Sequence, residues 1–293
     1  MGKTAAAVEL SLRFDGEIIN ADSMQVYRGF DIGTAKPSPE DRRRIPHHLV
    51  DIVDPRSQFS AAEFVALALD ALRLIDDHGH VPLVVGGTGL YLKALTDGLF
   101  PGPGRDESLR TKLESEARES GLEGLRQQLE RVDPKYAAAI GPRDRVRIVR
   151  ALEVYELTGR PISENFSETT SPVSDRRLIK IGLAANRPAL YARIDARVEG
   201  MFRAGLVGEV RRLLDEGVPE TAPPFKALGY KQVVRHLAGE IPLEEAVRLT
   251  KLDTRHFAKR QMTWFRKMAG VRWFEAEDRA GWTDYLRSEL AER

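Results

Sequence analysis

The chain has 293 residues, with 45 Lys and Arg against 44 Asp and Glu, 42% hydrophobic residues and no cysteine. The lack of cysteine excludes disulfides, thiolate metal sites and a cysteine nucleophile, and a net charge of +1 leaves bulk electrostatics silent about a polyanionic partner. No apolar run approaches the ~18 residues of a membrane span and the N-terminus lacks signal-peptide regions, so a cytoplasmic protein is expected, without a membrane role and monomeric by default.

Taken in chain order, "MGKTAAAVEL" opens on Gly2-Lys3-Thr4, the last three letters of the phosphate-binding signature Gly-x4-Gly-Lys-Ser/Thr. Residues from Thr4 to Phe14 favour a helix, with Ala5, Val8 and Leu12 on one stripe and Gly16 as its stop. Ile18, Ile19 and Ala21 read as a short buried strand that ends at Asp22. Residues 60–77 form an amphipathic helix whose Ser60 and Glu63 stand at capping-box spacing. Val81 to Val85 is a near-continuous apolar strand of the kind covered on both faces, and it runs into Gly86-Gly87-Thr88-Gly89. Strand, helix, strand, helix is the α/β pattern.

After residue 106 the composition turns helical. Residues 107–160 predict helices broken at Gly121, Asp133-Pro134 and Gly141-Pro142, and 163–175 is a polar connector. Residues 178–185 and 271–276 predict two further strands with helices between them. The expected organisation is a parallel α/β core over 1–105 and 175–293, with an all-helical insertion over 106–174. The Gly98 to Gly104 run is a hinge candidate between them.

Ligands of open parallel sheets bind beyond the carboxyl ends of the strands. Gly2, Lys3 and Thr4 would open a helix there, where free N–H groups attract phosphate. Asp22-Ser23 and the glycine run at 86–89 end strands on the same edge. Chance explains an isolated Gly-Lys-Thr, but two polar strand ends converging on it favour a site. A kinase normally needs an acidic residue at a strand end to hold Mg²⁺; the 81–85 strand ends in glycine instead. Asp22 is better placed as a base acting beside a bound diphosphate.

The blocks "NADSMQVYRGFDIGTAKP" (Asn20 to Pro37), "HHLVDIVDP", "LVVGGTGLYLKAL", "RIVRALEVYELTGRPIS", "ALGYKQ" and "KRQMTWFR" closely resemble the bacterial tRNA dimethylallyltransferases, in order and from residue 2 to about 275. The resemblance implies a P-loop-type α/β core with a helical insertion domain that contacts tRNA. The implied reaction moves a dimethylallyl group from dimethylallyl diphosphate to the exocyclic amine of the adenosine 3′ of the anticodon, with Mg²⁺ as cofactor and the anticodon stem-loop as partner. By the same resemblance Asp22 is the general base and Thr88 stands near the target base. Gly2, Lys3, Thr4, Arg147 and Arg150 would hold the diphosphate, and Thr4 the metal. Asp22, Ser23, Met24, Gln25, Thr88 and Arg110 would face tRNA, as would Val146, Arg147, Ile148, Val149 and Arg150, and Lys226, Ala227, Leu228, Gly229, Tyr230 and Lys231. Members of the family carry a strand and a Gly-Pro-Thr loop ahead of Gly-Lys-Thr, and this sequence has neither. The expectation is therefore a sheet lacking its first strand and most of the loop.

Arg248, Lys251, Arg255, Lys259 and Arg266 recur at helical spacing and are expected to meet phosphate; Trp264 is expected in the core. The six histidines form no metal constellation by spacing, because no carboxylate lies at ligand spacing from His78 and His80. Asp31 and Lys36 are expected to brace the loop after the base. The alternatives are a prenyltransferase acting on free adenylate, a small-molecule P-loop kinase, and a tRNA-binding protein inactivated by truncation.

Overall fold

The computed structural model describes residues 2–100, 102–119, 121–166 and 169–291. Pro101 in the glycine-rich run, and Ser167 and Glu168 in the polar connector, lie outside the described residues. Two compact units divide the chain: residues 1–95 with 175–293, and residues 96–174.

In the first unit, α1 (Lys3–Phe14) turns through Asp15, which adopts the left-handed conformation (φ 50°), into β1 (Gly16–Ala21). Every residue of β1 is buried, because it is the middle strand of a parallel sheet ordered β2-β1-β3. After α2 (Pro39–Arg44), β2 is only His47–His48, paired to Ile18 and Ile19. Next comes α3 (Ala61–Asp77), where both halves of the Ser60–Glu63 capping box are formed. These two bonds satisfy otherwise unpartnered amides at the helix start. Then β3 (Val81–Gly86) pairs along the whole of β1, and α4 (Gly89–Asp97) follows.

Among the described residues, five strands make two parallel sheets rather than one. β4 (Lys180–Ala184) pairs only with β5 (Val271–Glu275), and among the described residues β3 has no ladder partner beyond β1. Between β4 and β5 run α10 (Arg187–Arg203), α11 (Leu206–Asp215), α12 (Tyr230–Leu237) and α13 (Leu243–Phe265); α14 (Arg279–Ala291) follows β5. Leu83 of β3 and Ile181 and Leu183 of β4 share one apolar cluster with Leu10 of α1 and Trp282 and Leu286 of α14. A second core packs Val26, Tyr27 and Phe30 against α11 and α12.

The second unit is helical: α5 (Glu107–Glu119), α6 (Gly121–Val132), α7 (Pro134–Ala139), α8 (Arg145–Thr158) and the short α9 (Ile162–Asn165). The breaks fall at the Gly and Pro positions that cannot continue a helix. It begins at Thr96 rather than at residue 106, because Gly98 (φ +92°) lies against the backbone of Thr170 within the same unit. No helix among the described residues is long and apolar enough to cross a membrane.

Candidate active site

The carboxyl ends of β1 and β3 come together at Gly86. A β-carbon there would collide with the main chain of Ala21, so only glycine lets the two strands approach this closely. The contact brings Thr88 under the Asp22 loop. Its amide donates to Ala21 O at 3.2 Å, and its Oγ1 accepts from the Ser23 amide at 2.9 Å and donates to Ser23 Oγ at 3.2 Å. Asp22 Oδ1 in turn accepts the Met24 amide at 2.9 Å, an Asx-type turn that leaves the other carboxylate oxygen free of bonds from the loop. Thr88 thus sets the backbone that aims Asp22.

Two cations lie within electrostatic reach of Asp22: Lys3, the first residue of α1, and Arg197 of α10. Burial pushes the Lys3 ammonium below its usual pKa; Asp22 pulls it back up, and Arg197 adds to the lowering. Loss of hydration likewise lowers the Arg197 guanidinium, against the attraction of Asp22. The opening turn of α1 has no side-chain cap, and Gly2 precedes it at φ 81°. Its first amides are therefore free for an anion.

The other wall is glycine. Gln261 Nε2 of α13 donates to Gly87 O at 2.8 Å, and Lys3 Nζ is 3.6 Å from where a Gly87 β-carbon would stand. One helical turn on, the Trp264 indole occupies the space that a Gly89 side chain would need. Trp264 is 38% exposed, so the expected core tryptophan is instead a surface ring beside this corner. Arg197 and Gln261 are not in the set read from the sequence. The signal for Gln261 is its i, i+3 spacing with Trp264; nothing local marks Arg197.

The loop after Asp22 is held at many points. Gln25 Nε2 donates to Thr34 O and Ala35 O, at 3.0 and 3.1 Å. Lys36, its side chain 2% exposed, donates to Tyr27 O and Asp31 Oδ1, both at 2.6 Å, and to Asp51. Burial raises the pKa of Asp51, but its bonds from Lys36 and Arg42 win and hold it below the usual carboxylate range. Glu209 Oε2 takes the amides of Asp31 and Ile32, and its Oε1 accepts from Tyr230 Oη at 2.6 Å. Tyr230 Oη also accepts the Gly33 amide, at 3.1 Å. Burial beside Glu209 raises the Tyr230 phenol, keeping it a donor.

A family model described as IPP transferase matches residues 25–268. The chain is also 52% identical, over 274 residues, to a tRNA dimethylallyltransferase of Geobacter metallireducens, covering 94% of this chain and 89% of that relative. The chain belongs to the IPP transferase family. A tRNA dimethylallyltransferase of Thermomicrobium roseum is 46% identical, covering 99% of this chain and 87% of the relative. Among solved structures, the tRNA isopentenylpyrophosphate transferase of Bacillus halodurans superposes with TM-score 0.72 at 40% identity, covering 99% of this chain and 93% of that one. A eukaryotic dimethylallyltransferase acting on tRNA gives TM-score 0.80 at 28% identity, covering 98% and 74%.

Several residues expected to serve an IPP transferase's ligands have other work in this structure. In the helical unit, Glu153 is fully buried and gathers Arg110 in a two-pronged pair (2.8 and 2.9 Å) and Arg150 at 2.7 Å. Arg150 also donates to Pro103 O at 2.7 Å. Both guanidinium groups are committed to the fold, a consequence of burying a carboxylate that must be paired. Ile148 and Val149 are buried core, Val146 is exposed, and Arg147 pairs loosely with Asp144 at 3.5 Å. In the stretch from Lys226 to Lys231, Gly229 and Tyr230 are buried, and Lys226 and Lys231 are its exposed cations.

On α13, Arg248 pairs with Glu245, Lys251 with Glu199 and Arg255 with Asp195. Three of the five expected phosphate contacts are thereby neutralised, and among the described residues Lys259 and Arg266 carry no ion pair. The histidine expectation also needs correction: the fold brings Glu17 against His48, His78 and His80.

Proposed function

We propose that the chain transfers a dimethylallyl group from dimethylallyl diphosphate to the exocyclic amine of the adenosine 3′ of a tRNA anticodon. Support comes from its IPP transferase membership, from relatives named for that activity, and above all from Asp22 standing in the field of Lys3 and Arg197 at the open end of α1. Adenine's amino lone pair is delocalised into the ring and is a weak nucleophile. Asp22 accepts the amine proton as nitrogen bonds to the allylic carbon, while that carbon's bond to the diphosphate oxygen breaks.

The leaving diphosphate gathers negative charge, which Lys3 and the free amides of α1 stabilise. Thr88 acts by holding Ser23 and hence the Asp22 backbone. The oxygen donors at this turn, the exposed Thr4 hydroxyl and the diphosphate's own oxygens, suit a hard cation such as Mg²⁺. When bound, Mg²⁺ supplies further charge neutralisation on the leaving group. Lys226 and Arg143, exposed and without ion pairs among the described residues, are offered to tRNA phosphates.

The test is incorporation of labelled dimethylallyl into an anticodon stem-loop. Asp22→Asn is expected to lose ~10²–10⁴ in turnover with stem-loop binding retained. Full activity in that variant would remove Asp22 from the role of base, and preference for free adenylate over the stem-loop would remove tRNA as the acceptor.

A further inference from the structure

The far end of β1 carries a second cluster, which prenyl transfer does not use. Glu17, the second residue of β1, is 2% exposed. Its Oε1 faces Nδ1 of both His78 and His80 at 2.7 Å, and its Oε2 faces Nε2 of His48 at 2.6 Å. An ionised carboxylate only accepts hydrogen bonds, so each facing ring nitrogen carries a proton in this arrangement. Parallel pairing builds the cluster. Glu17 lies beside Pro82 of β3, and His48 lies beside Ile19 across β2. Gly79, at φ 74°, reverses the chain between His78 and His80 so that both rings turn back onto one oxygen.

Burial raises the Glu17 carboxyl, but the bonds from three imidazoles outweigh it and hold the pKa at about 2. A buried carboxylate needs partners, yet a single imidazole on each oxygen would serve. Here one oxygen draws two ring nitrogens from opposite sides of a glycine. One oxygen and two nitrogen donors whose atoms all lie within 4.8 Å of one another form the donor set of a small cation.

We propose that Glu17, His78 and His80 bind a divalent transition-metal ion, best matched by Zn²⁺, with His48 steadying the carboxylate's other oxygen. Zn²⁺ takes imidazole nitrogen at ~2.0–2.1 Å and carboxylate oxygen at ~2.0–2.2 Å, which places tetrahedral ligands roughly 3.3 Å apart. The present spacing of 2.7 Å opens to that value when the metal replaces the two ring protons and the partly exposed His78 and His80 swing outward. Solvent then completes the fourth position. Imidazole ligands disfavour Mg²⁺, so this site is separate in kind from the diphosphate's cation. It is also separate in place, since five strand residues put it roughly 16 Å from Asp22. The ion would clip the turn after α3 to β1, which makes it a structural site.

The experiment uses the full chain freed of metal with a chelator, titrated with Zn²⁺ by calorimetry and followed by thermal unfolding. The wild type is expected to bind one equivalent that His78→Asn/His80→Asn loses, with a rise in thermal midpoint that the double variant does not show. Both histidines stand in a partly exposed turn and asparagine keeps an N–H donor for the buried Glu17 oxygen, so the variant keeps its fold. His48→Asn should weaken binding by ~10–100-fold, the usual effect of removing a residue that orients a ligand. The proposal is overturned if the wild type takes up no more Zn²⁺ than the double variant, or if the double variant keeps both the equivalent and the midpoint rise.

Discussion

Replacing Glu153 by Gln removes the charge that holds Arg110, Arg150 and the Asp106 amide together inside the helical unit. Burial raises this carboxyl, yet the bonds from Arg110 and Arg150 and from the Asp106 amide bring it from 4.5 to about 2. At ~1.36 kcal/mol for each pH unit, that fall caps the stabilisation at roughly 3.4 kcal/mol. Water around the Arg110 and Arg150 side chains, 20% and 26% exposed, reduces it to roughly 2 kcal/mol. Because the folded pKa is the depressed one, this stability is present in full above the unfolded value of 4.5 and drains away as pH falls towards about 2.

The assay is hydrogen exchange on peptides from α5 and α8 of the full chain. Near neutral pH, Glu153→Gln should lower protection there by roughly 30-fold, the equivalent of ~2 kcal/mol. The difference from wild type should shrink as pH drops through the window. Equal protection at neutral pH, or a difference unchanged by acid, would refute the account. Arg110 and Arg150 would then be free for a ligand after all.

Two further substitutions test the scaffold of the candidate site. Tyr230→Phe deletes the donor to Glu209 and the acceptor for the Gly33 amide, and is expected to cost ~1.5–3 kcal/mol in urea unfolding; a loss under half a kilocalorie would contradict it. Gly86→Ala forces a β-carbon into the Ala21 main chain, which cannot yield without parting β1 from β3. The thermal midpoint should fall by the equivalent of ~1–3 kcal/mol or more, and an unchanged midpoint would show that the strands have room.

What could be read from the chain is what closes within a few residues. Ser60 and Glu63 cap their helix through bonds three positions apart, and the run from Val81 to Val85 announces its strand by composition alone. The strand end at Asp22 was legible from the apolar Ile18, Ile19 and Ala21 that precede it. What stayed hidden depends on contacts made by folding. Glu17 reaches His48, His78 and His80 across 31, 61 and 63 residues, so spacing could not reveal a carboxylate beside them. Arg110 and Glu153 are 43 residues apart, and a basic residue in a helix looks the same whether it faces a phosphate or a buried acid. The two-residue β2 is too short to show any periodicity. The division of the strands into two sheets follows from pairing, which apolar composition does not specify.

The tethered loop between Asp22 and Asp51 has a consequence for how an acceptor would be met. Lysine, glutamate, tyrosine and glutamine side chains pin it at residues spread over its whole length, among them Tyr27, Asp31, Ile32, Gly33, Thr34 and Asp51. The conformational entropy of this wall is surrendered when the protein folds, not when a guest arrives. An incoming nucleoside would find a finished surface, and loss of any single anchor would be felt as a looser grip on geometry before it was felt as weaker attachment.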